Sequence, residues 1–122
     1  MSKTWNTHKW EMYVIPERII KNYAKMNINK TRPVIVISNA ESLEYKALIM
    51  ECSTKKHKNS LEFYKWTSKR TNETLTSYIA LDKLRTIDSS YLTDVNKIKT
   101  HVVPLELRKT ILDFINKIVN SD

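Results

Sequence analysis

The chain has 122 residues, a length that suits one compact domain with its own core. Its 21 Lys and Arg residues outnumber 13 Asp and Glu residues, and the resulting charge of +8 favours anionic partners, nucleic acid first among them, although a generally basic surface would give the same balance. Glycine is absent, which excludes glycine-rich phosphate loops and dinucleotide-binding motifs, and with them kinases, P-loop enzymes and Rossmann dehydrogenases.

The first part of the chain predicts a strand, a short helix and a loop. The alternation over residues 10–15 suits a short strand, which Pro16 ends. Over residues 17–26 apolar side chains recur at helical spacing, so we expect one or two helical turns there. A loop is expected over residues 27–31.

The next segment predicts the most deeply buried strand. Residues 33–37 are five consecutive apolar residues, four of them β-branched, and such a run suits a central strand covered on both faces. Pro33 is tolerated at the first position, where its missing N–H costs least. Arg32 therefore stands at the mouth of a rigid strand, where its guanidinium is well placed to meet a phosphate. The alternative is a charged residue that simply flanks the strand in solvent.

The remainder alternates between strand and turn signals and ends in a helix. We expect a polar connection over residues 39–46, a buried strand over 47–52, an edge strand over 61–66, a hairpin over 67–76, a long strand over 78–87, a short turn or helix at 88–90, and a last strand over 97–103. In the hairpin, Asn72 can take the positive φ that glycine normally supplies. Pro104 is expected at the first position of the closing helix, whose apolar stripe continues through Ile118. This succession predicts an α+β fold, a small β-barrel-like antiparallel sheet with a C-terminal helix, in one domain over residues 1–122.

One cysteine and three histidines limit the chemistry. Cys52 can form no disulfide within the chain and is interpreted as a small buried hydrophobe, with a reducing cytoplasm as the expected location. His8, His57 and His101 lack the spacing of metal ligands, so we expect no metal and no cofactor. The first residues lack the apolar core of a signal peptide, and no apolar run reaches transmembrane length, so no membrane partner is expected.

Four segments stand together in chain order: residues 32–39 (RPVIVISN), 51–54 (ECST), 81–88 (LDKLRTID) and 102–107 (VVPLEL). In this order and spacing they resemble the MazF/PemK/Kid family of toxin endoribonucleases from type II toxin–antitoxin systems. The resemblance covers roughly residues 32–119, whereas residues 1–31 diverge from the family.

The resemblance implies a twisted antiparallel sheet of the MazF/PemK/CcdB type and a symmetric homodimer whose interface groove binds single-stranded RNA, including mRNA. Family members cleave RNA at specific sequences without a metal or cofactor, by attack of the ribose 2′-hydroxyl, and leave a cyclic phosphate. A cognate antitoxin protein is the implied partner, and the cytoplasm is the implied location.

Site residues follow from the same resemblance, position by position. Arg32 resembles the catalytic arginine, and Ser53 stands where the family usually has a catalytic threonine. Thr54 is an adjacent hydroxyl that could substitute, and Asp82 matches an acidic position that some members use as a base. The predicted RNA-binding residues are Lys30, Lys55, Lys56, His57, Lys58 and Arg85.

The physical chemistry of the reaction agrees with these roles. Internal transesterification builds negative charge around phosphorus, which a preorganised Arg32 and a hydroxyl donor can stabilise. The base that takes the 2′-hydroxyl proton stays open between three residues. Asp82 would need an environment that makes it more basic, whereas His57 and His101 carry imidazoles, which change charge near neutral pH.

Several of these residues also admit a structural interpretation. Ser53 and Thr54 can end a strand and bond the local backbone. Asp82 and Arg85 can form a surface pair, and the lysines of the basic segment can be merely solvated. The aromatic candidates for base stacking, which in strands more often pack in a core or an interface, are Trp10, Tyr64 and Trp66.

The chain departs from the family pattern near its N-terminus. Trp10 and Glu11 replace the usual Gly and acidic residue of the first strand, and none of residues 27–31 is acidic, although the family often has a Glu shortly before the arginine. The missing acid favours an alternative function, a catalytically inactive relative that binds nucleic acid or a protein target, as related gyrase-poisoning toxins do. A third possibility is an unrelated basic RNA-binding barrel.

Overall fold

The computed structural model describes residues 9–21, 30–38, 46–93 and 96–120. The predicted helical segment beyond residue 21, the predicted loop over residues 27–29 and most of the predicted connection over residues 39–46 lie outside these ranges. The described elements are strands β1 (Glu11–Pro16), β2 (Thr31–Val36), β3 (Lys46–Ser53), β4 (Ser60–Thr67), β5 (Thr74–Asp88) and β6 (Lys97–Val102), helices α1 (Glu17–Lys21) and α2 (Leu105–Asn120), and a 3-10 turn over Ser89–Tyr91.

The strands form one six-stranded sheet in the order β4-β5-β3-β2-β1-β6. Every neighbouring pair is antiparallel. β2 and β3 lie in the middle of this order, as their apolar runs predict, and β4 lies at one end, which confirms the predicted edge strand. The sheet and its closing helix confirm the predicted α+β fold.

Both faces of the sheet are covered, because successive side chains of the central strands enter two different cores. Ile35 of β2 packs in the core that also contains Ile111 of α2. Val34, one position earlier, packs in the second core with Ile49 of β3 and Ile20 of α1. Burial on both faces explains why these strands show no polar alternation in the sequence.

The two ends of the sheet come together through aromatic side chains. Tyr64 lies on β4 and His101 on β6, at opposite ends of the strand order, yet their ring centroids are 3.9 Å apart. Phe63 joins them, with its centroid 4.9 Å from that of Tyr64 and 6.3 Å from that of His101. The sheet is therefore curled, as the predicted barrel-like form requires.

Among the residues that the structure describes, Trp10 and Asn72 take a positive φ. Asn72 has φ 60° in the hairpin between β4 and β5, which confirms the predicted role of Asn in place of Gly. Trp10 has φ 70°, a strained value for a bulky residue. Its backbone is held on both sides, since its N–H donates to the carbonyl of Val36 at 2.6 Å and its carbonyl accepts from the N–H of Val103 at 2.8 Å.

Helix α2 begins one residue after Pro104 and not at it. The Pro104 carbonyl accepts from the amides of Leu107 and Arg108 at 3.0 and 3.1 Å, so Pro104 caps the helix from outside. Arg108 Nε donates back to the Val103 carbonyl at 2.6 Å and lies 5.6 Å from the Trp10 ring, which ties the helix start to the sheet. Within the described ranges, no helix is long and apolar enough to cross a membrane.

Candidate active-site groove

The first residues of β2 and the last residues of β3 lie side by side, at the same end of these two paired strands. Their antiparallel register pairs Val34 with Glu51, and the same count carried two residues further brings Arg32 to the level of Ser53. Both residues line one groove of about 540 Å³. The structure thus brings together the two residues predicted to carry the chemistry.

The groove wall combines charged, hydroxyl and aromatic side chains from four strands and the adjoining turns. Its lining residues are Lys30, Thr31, Arg32, Pro33, Glu51, Cys52, Ser53, Thr54, Lys55, His57, Tyr64, Trp66, Ser77, Ala80 and Lys83. Four of these carry a fixed positive charge and one carries a carboxylate. The wall is therefore a surface suited to an anion.

Arg32 is held by a buried acid from another element. Its Nε donates to Glu17 Oε2 at 2.8 Å, and the Glu17 side chain is 3% exposed whereas that of Arg32 is 25% exposed. Lys30 Nζ lies 3.7 Å from the same oxygen. The solvated-flank alternative for Arg32 is thereby wrong, because its guanidinium has a fixed partner inside the protein.

Ser53 is the last residue of β3, and Thr54 follows it in the adjoining turn. Ser53 Oγ accepts from the backbone N–H of Lys55 at 3.1 Å, which is the local bond of the structural alternative. A hydroxyl that accepts one bond keeps its own proton for donation. The local bond therefore orients Ser53 without using up its donor, and Thr54 lies beside it, exposed in the same groove.

A second buried acid lies in the groove wall. Glu51 is 3% exposed, and its Oε2 accepts from Arg85 Nε on β5. Arg85, predicted to bind RNA, is not among the lining residues, and its side chain, 45% exposed, is the partner of Glu51. The alternative in which Asp82 pairs with Arg85 is wrong, because Arg85 pairs with Glu51.

The predicted basic residues divide into two groups. Lys30, Lys55 and His57 line the groove, whereas Lys56 and Lys58 are exposed outside the lining. The backbone N–H of His57 donates to Ser60 Oγ at 2.8 Å, which fixes the turn that carries the imidazole.

The three candidate bases also separate. His57 lines the groove. Asp82 is exposed on β5 and is not among the lining residues, although the next residue, Lys83, is. His101 packs against Tyr64 and does not contribute to the lining.

The aromatic candidates lie in three different environments. Trp10 is a buried core residue, as its structural interpretation requires, whereas Trp66 is 40% exposed in the groove wall. Tyr64 also lines the groove, and burial raises the pKa of its phenol while a hydrogen bond with Ser77 partly opposes that shift. Trp66 is therefore the aromatic face that is open to a ligand.

Sequence reasoning missed Glu17 because it sought an acid in the residues just before Arg32. The sequence indicates only that Pro16 ends the first strand, and the pairing of strands in the structure supplies the rest. Pro16 ends β1, and β1 pairs with β2 so that Ile15 lies opposite Arg32 and Pro16 opposite Thr31. The residue after Pro16 must then lie beside Lys30, and its N–H does donate to the Lys30 carbonyl at 2.9 Å. Lys83 was also missed, because its strand position alone does not tell which face it lies on.

The curled antiparallel sheet, its closing helix and the cation-lined groove with an arginine at a strand mouth define the class: a small basic α+β protein with a groove suited to an anion. A family model described as a PemK-like, MazF-like toxin of type II toxin-antitoxin systems matches residues 19–118. The chain belongs to this family, which confirms the resemblance found in the motifs. A search of curated proteins finds no match. Membership in a type II system implies an antitoxin as partner.

No group of three or more His, Cys, Asp and Glu side chains able to hold a metal ion is found in the part of the chain that the structure describes. That the protein needs no metal and no cofactor remains a prediction from the sequence.

Proposed function

We propose that this toxin is a sequence-specific endoribonuclease that cleaves single-stranded RNA, including mRNA, in the groove lined by the start of β2 and the end of β3. The observation that carries the proposal is that Arg32 and Ser53, which come from neighbouring strands, line one groove. An anion-binding wall with a fixed guanidinium is what phosphodiester chemistry requires.

The reaction is an internal transesterification. The ribose 2′-oxygen attacks the adjacent phosphorus, the bond from phosphorus to the 5′-oxygen breaks, and the products are a 2′,3′-cyclic phosphate and a 5′-hydroxyl. Arg32 stabilises the charge on the phosphorane, and the Ser53 hydroxyl donates to the same oxygens, with Thr54 as a second donor. No electron leaves or enters the system, and no metal is required for the balance.

One proton must leave the 2′-hydroxyl and one must reach the 5′-oxygen. Among the three bases predicted from the sequence, His57 is the one that lines the groove beside Ser53 and Thr54. An imidazole can take the proton of the 2′-hydroxyl, and solvent water supplies the proton that the leaving 5′-oxygen takes up. We assign this role to His57.

Substrate binding follows from the rest of the wall. Lys30, Lys55 and Lys83 supply charges along the RNA backbone, and Trp66 offers an exposed ring on which an unpaired base can stack. From its family we infer that the toxin acts in the cytoplasm as a homodimer, with a cognate antitoxin as its protein partner.

A catalytically inactive binding module is the alternative function. The feature that favoured it was the lack of an acid before Arg32. Glu17 supplies an acid at the guanidinium itself, so this feature no longer argues against catalysis. No other observation favours the alternative.

The test is cleavage of a mixed-sequence single-stranded RNA in the presence of EDTA, with identification of the product ends. We expect cyclic phosphate and 5′-hydroxyl ends, with activity lost in Arg32→Ala. Ser53→Ala is expected to lose about 100- to 1,000-fold in rate, the usual cost of one oxyanion donor.

Ser68→Ala is the matched control. Ser68 Oγ accepts from the backbone amides of Arg70 and Thr71 at 3.3 and 3.4 Å, in the same kind of turn as Ser53 but outside the lining. Its cleavage rate should equal that of the unmodified protein. Absence of cleavage, or cleavage that Arg32→Ala leaves intact, rejects the proposed function.

A further inference from the structure

We propose that Glu17 is the positioning residue of Arg32, a buried carboxylate that fixes the guanidinium by its Nε edge and directs its terminal amino groups to the RNA phosphate. The catalytic part of this inference rests on the proposed function. The holding of Arg32 by Glu17 can be tested without it.

The backbone of Glu17 is fixed before its side chain acts. Its N–H donates to the Lys30 carbonyl at 2.9 Å, which extends the pairing of β1 and β2 one step beyond Pro16. Glu17 also begins α1, and Ile20 of this helix is buried in the second core. The carboxylate therefore projects from a point that both the sheet and the core define.

Burial makes the contact obligatory. A carboxylate that is 3% exposed is costly to bury unless cations and hydrogen bonds compensate its charge. Arg32 at 2.8 Å and Lys30 at 3.7 Å supply that compensation on one oxygen. The acid lies inside, and the two cations lie between it and the solvent, with side chains 25% and 57% exposed.

Glu17 binds one edge of the Arg32 guanidinium, and this contact determines which N–H donors remain for a ligand. A guanidinium has five N–H donors, and the contact with Glu17 is made by Nε. One terminal N–H lies on the same edge as Nε–H and also faces Glu17, so the three terminal N–H donors on the other edges remain for a ligand in the groove that Arg32 lines. A guanidinium held in this way needs little reorganisation when charge develops on the phosphate.

The same geometry argues against Glu17 as the base. Glu17 is not among the lining residues, and its Oε2 already faces two cations. A 2′-hydroxyl in the groove would contact Arg32 before it could reach Glu17. Glu17 therefore acts through Arg32 and is not a catalytic residue.

The experiment is a double-mutant cycle on single-turnover RNA cleavage, combined with NMR of the arginine Nε–H groups. Glu17→Gln keeps the shape and an acceptor oxygen but removes the charge. We expect it to slow the cleavage step roughly 10- to 100-fold, the scale of a misplaced catalytic group. Affinity for an all-2′-deoxy oligonucleotide should change much less, because the cation itself remains.

The cycle uses Arg32→Lys as the second variant. A lysine has no Nε edge for Glu17 to hold, so Glu17→Gln should cause no further loss in the Arg32→Lys background. If the double variant lost cleavage rate by the product of the two single losses, Glu17 would act independently of Arg32, and the proposal would be overturned.

The NMR arm needs no catalysis. The Nε–H of Arg32 should give a slowly exchanging signal in the unmodified protein that exchanges fast in Glu17→Gln. Glu51→Gln is the matched control, since it removes the other buried acid that holds an arginine and should change the Arg85 signal alone. An unchanged Arg32 signal in Glu17→Gln contradicts the proposal.

Two further outcomes are distinguishable. If the unmodified protein cleaves no RNA, the proposed function fails, and the NMR arm still decides whether Glu17 holds Arg32. If Glu17→Gln does not fold, Glu17→Asp replaces it, because a shorter side chain keeps the charge but withdraws it from Nε. Glu17→Asp should then slow cleavage and speed exchange of the Arg32 signal, and normal values of both reject the proposal.

Discussion

Cys52 and Ser53 are neighbours in β3, yet their side chains lie in opposite environments because a strand alternates its faces. Both residues belong to the groove lining, but the Cys52 side chain is 1% exposed and packs in the core shared with α2, whereas Ser53 is partly exposed. Burial, and secondarily the charge of Glu51, raises the pKa of the Cys52 thiol far above its usual range. The thiol therefore stays protonated and packs as a small hydrophobe, which confirms its structural interpretation.

The raised pKa of Cys52 predicts how stability depends on pH. The folded protein keeps the thiol proton, whereas the unfolded chain releases it above the ordinary value of 9.0. The contribution to stability is therefore complete below pH 9.0 and is lost as pH rises, at up to about 1.4 kcal/mol per pH unit. Urea unfolding between neutral pH and pH 10.5 measures the slope.

Cys52→Ala provides the comparison for this slope. It lacks the thiol but keeps all lysines and Tyr64, so the titration of the lysines appears in both proteins and cancels, whereas the pKa of Tyr64 loses only its smallest contribution, the charge of Cys52. The stability of the unmodified protein should fall more steeply above pH 9.0 than that of Cys52→Ala. Parallel profiles would contradict the prediction.

At the scale of elements, the sequence predicted the strands well because each strand's signal is local. The apolar run from Pro33, the turn at Asn72 and the stripe of α2 can all be identified within a dozen residues. The contacts that build the groove are not local. Glu17 reaches Arg32 across 15 positions and Glu51 reaches Arg85 across 34, so only the pairing of strands reveals them. The family motifs carried information on Arg32 and Ser53 that periodicity alone lacked.

The pair of β3 and β5 predicts a stability effect at this scale. Arg85→Ala leaves the nearly buried Glu51 carboxylate without its hydrogen-bond donor, which should lower the free energy of unfolding by roughly 1–3 kcal/mol. Adding Glu51→Leu removes the uncompensated charge. The double variant should then be more stable than Arg85→Ala alone.

Lys46→Ala is the matched control for this cycle. Lys46 and Asp88 also pair β3 with β5, at 2.6 Å, but both side chains are more than half exposed. An exposed pair contributes less than about 1 kcal/mol, so this variant should unfold at nearly the same urea concentration as the unmodified protein. Equal losses in Arg85→Ala and Lys46→Ala would show that burial of Glu51 does not matter.

At the scale of the whole molecule, the curl of the sheet and the distribution of charge act together. Tyr64 on one edge strand contacts His101 on the other edge strand, so the two edges of the sheet meet. Tyr64 also lines the groove, so the curl of the sheet and the groove share this residue. The net charge of +8 gives a long-range attraction for polyanions. The groove concentrates four fixed positive charges against the single carboxylate of Glu51, which Arg85 compensates.

This concentration of charge predicts a limited salt dependence of RNA binding. The prediction takes each fixed charge of the groove to contact one phosphate of a single strand; these residues are Lys30, Arg32, Lys55 and Lys83. The logarithm of the association constant should then fall with the logarithm of the salt concentration with a slope of about −3. Fluorescence anisotropy of a labelled all-2′-deoxy oligonucleotide measures the slope without cleavage. Binding spread over the entire basic surface would give a much steeper slope.

Single substitutions separate groove binding from general attraction. Lys83→Ala should reduce the slope by about 0.7, because one fewer counterion is released on binding. Lys109 is exposed on α2 and is not among the groove residues, so Lys109→Ala should leave the slope unchanged. Equal effects of the two substitutions would mean that the net charge, and not the groove, attracts the strand. A loss confined to Lys83→Ala places the bound strand along the wall that contains Arg32.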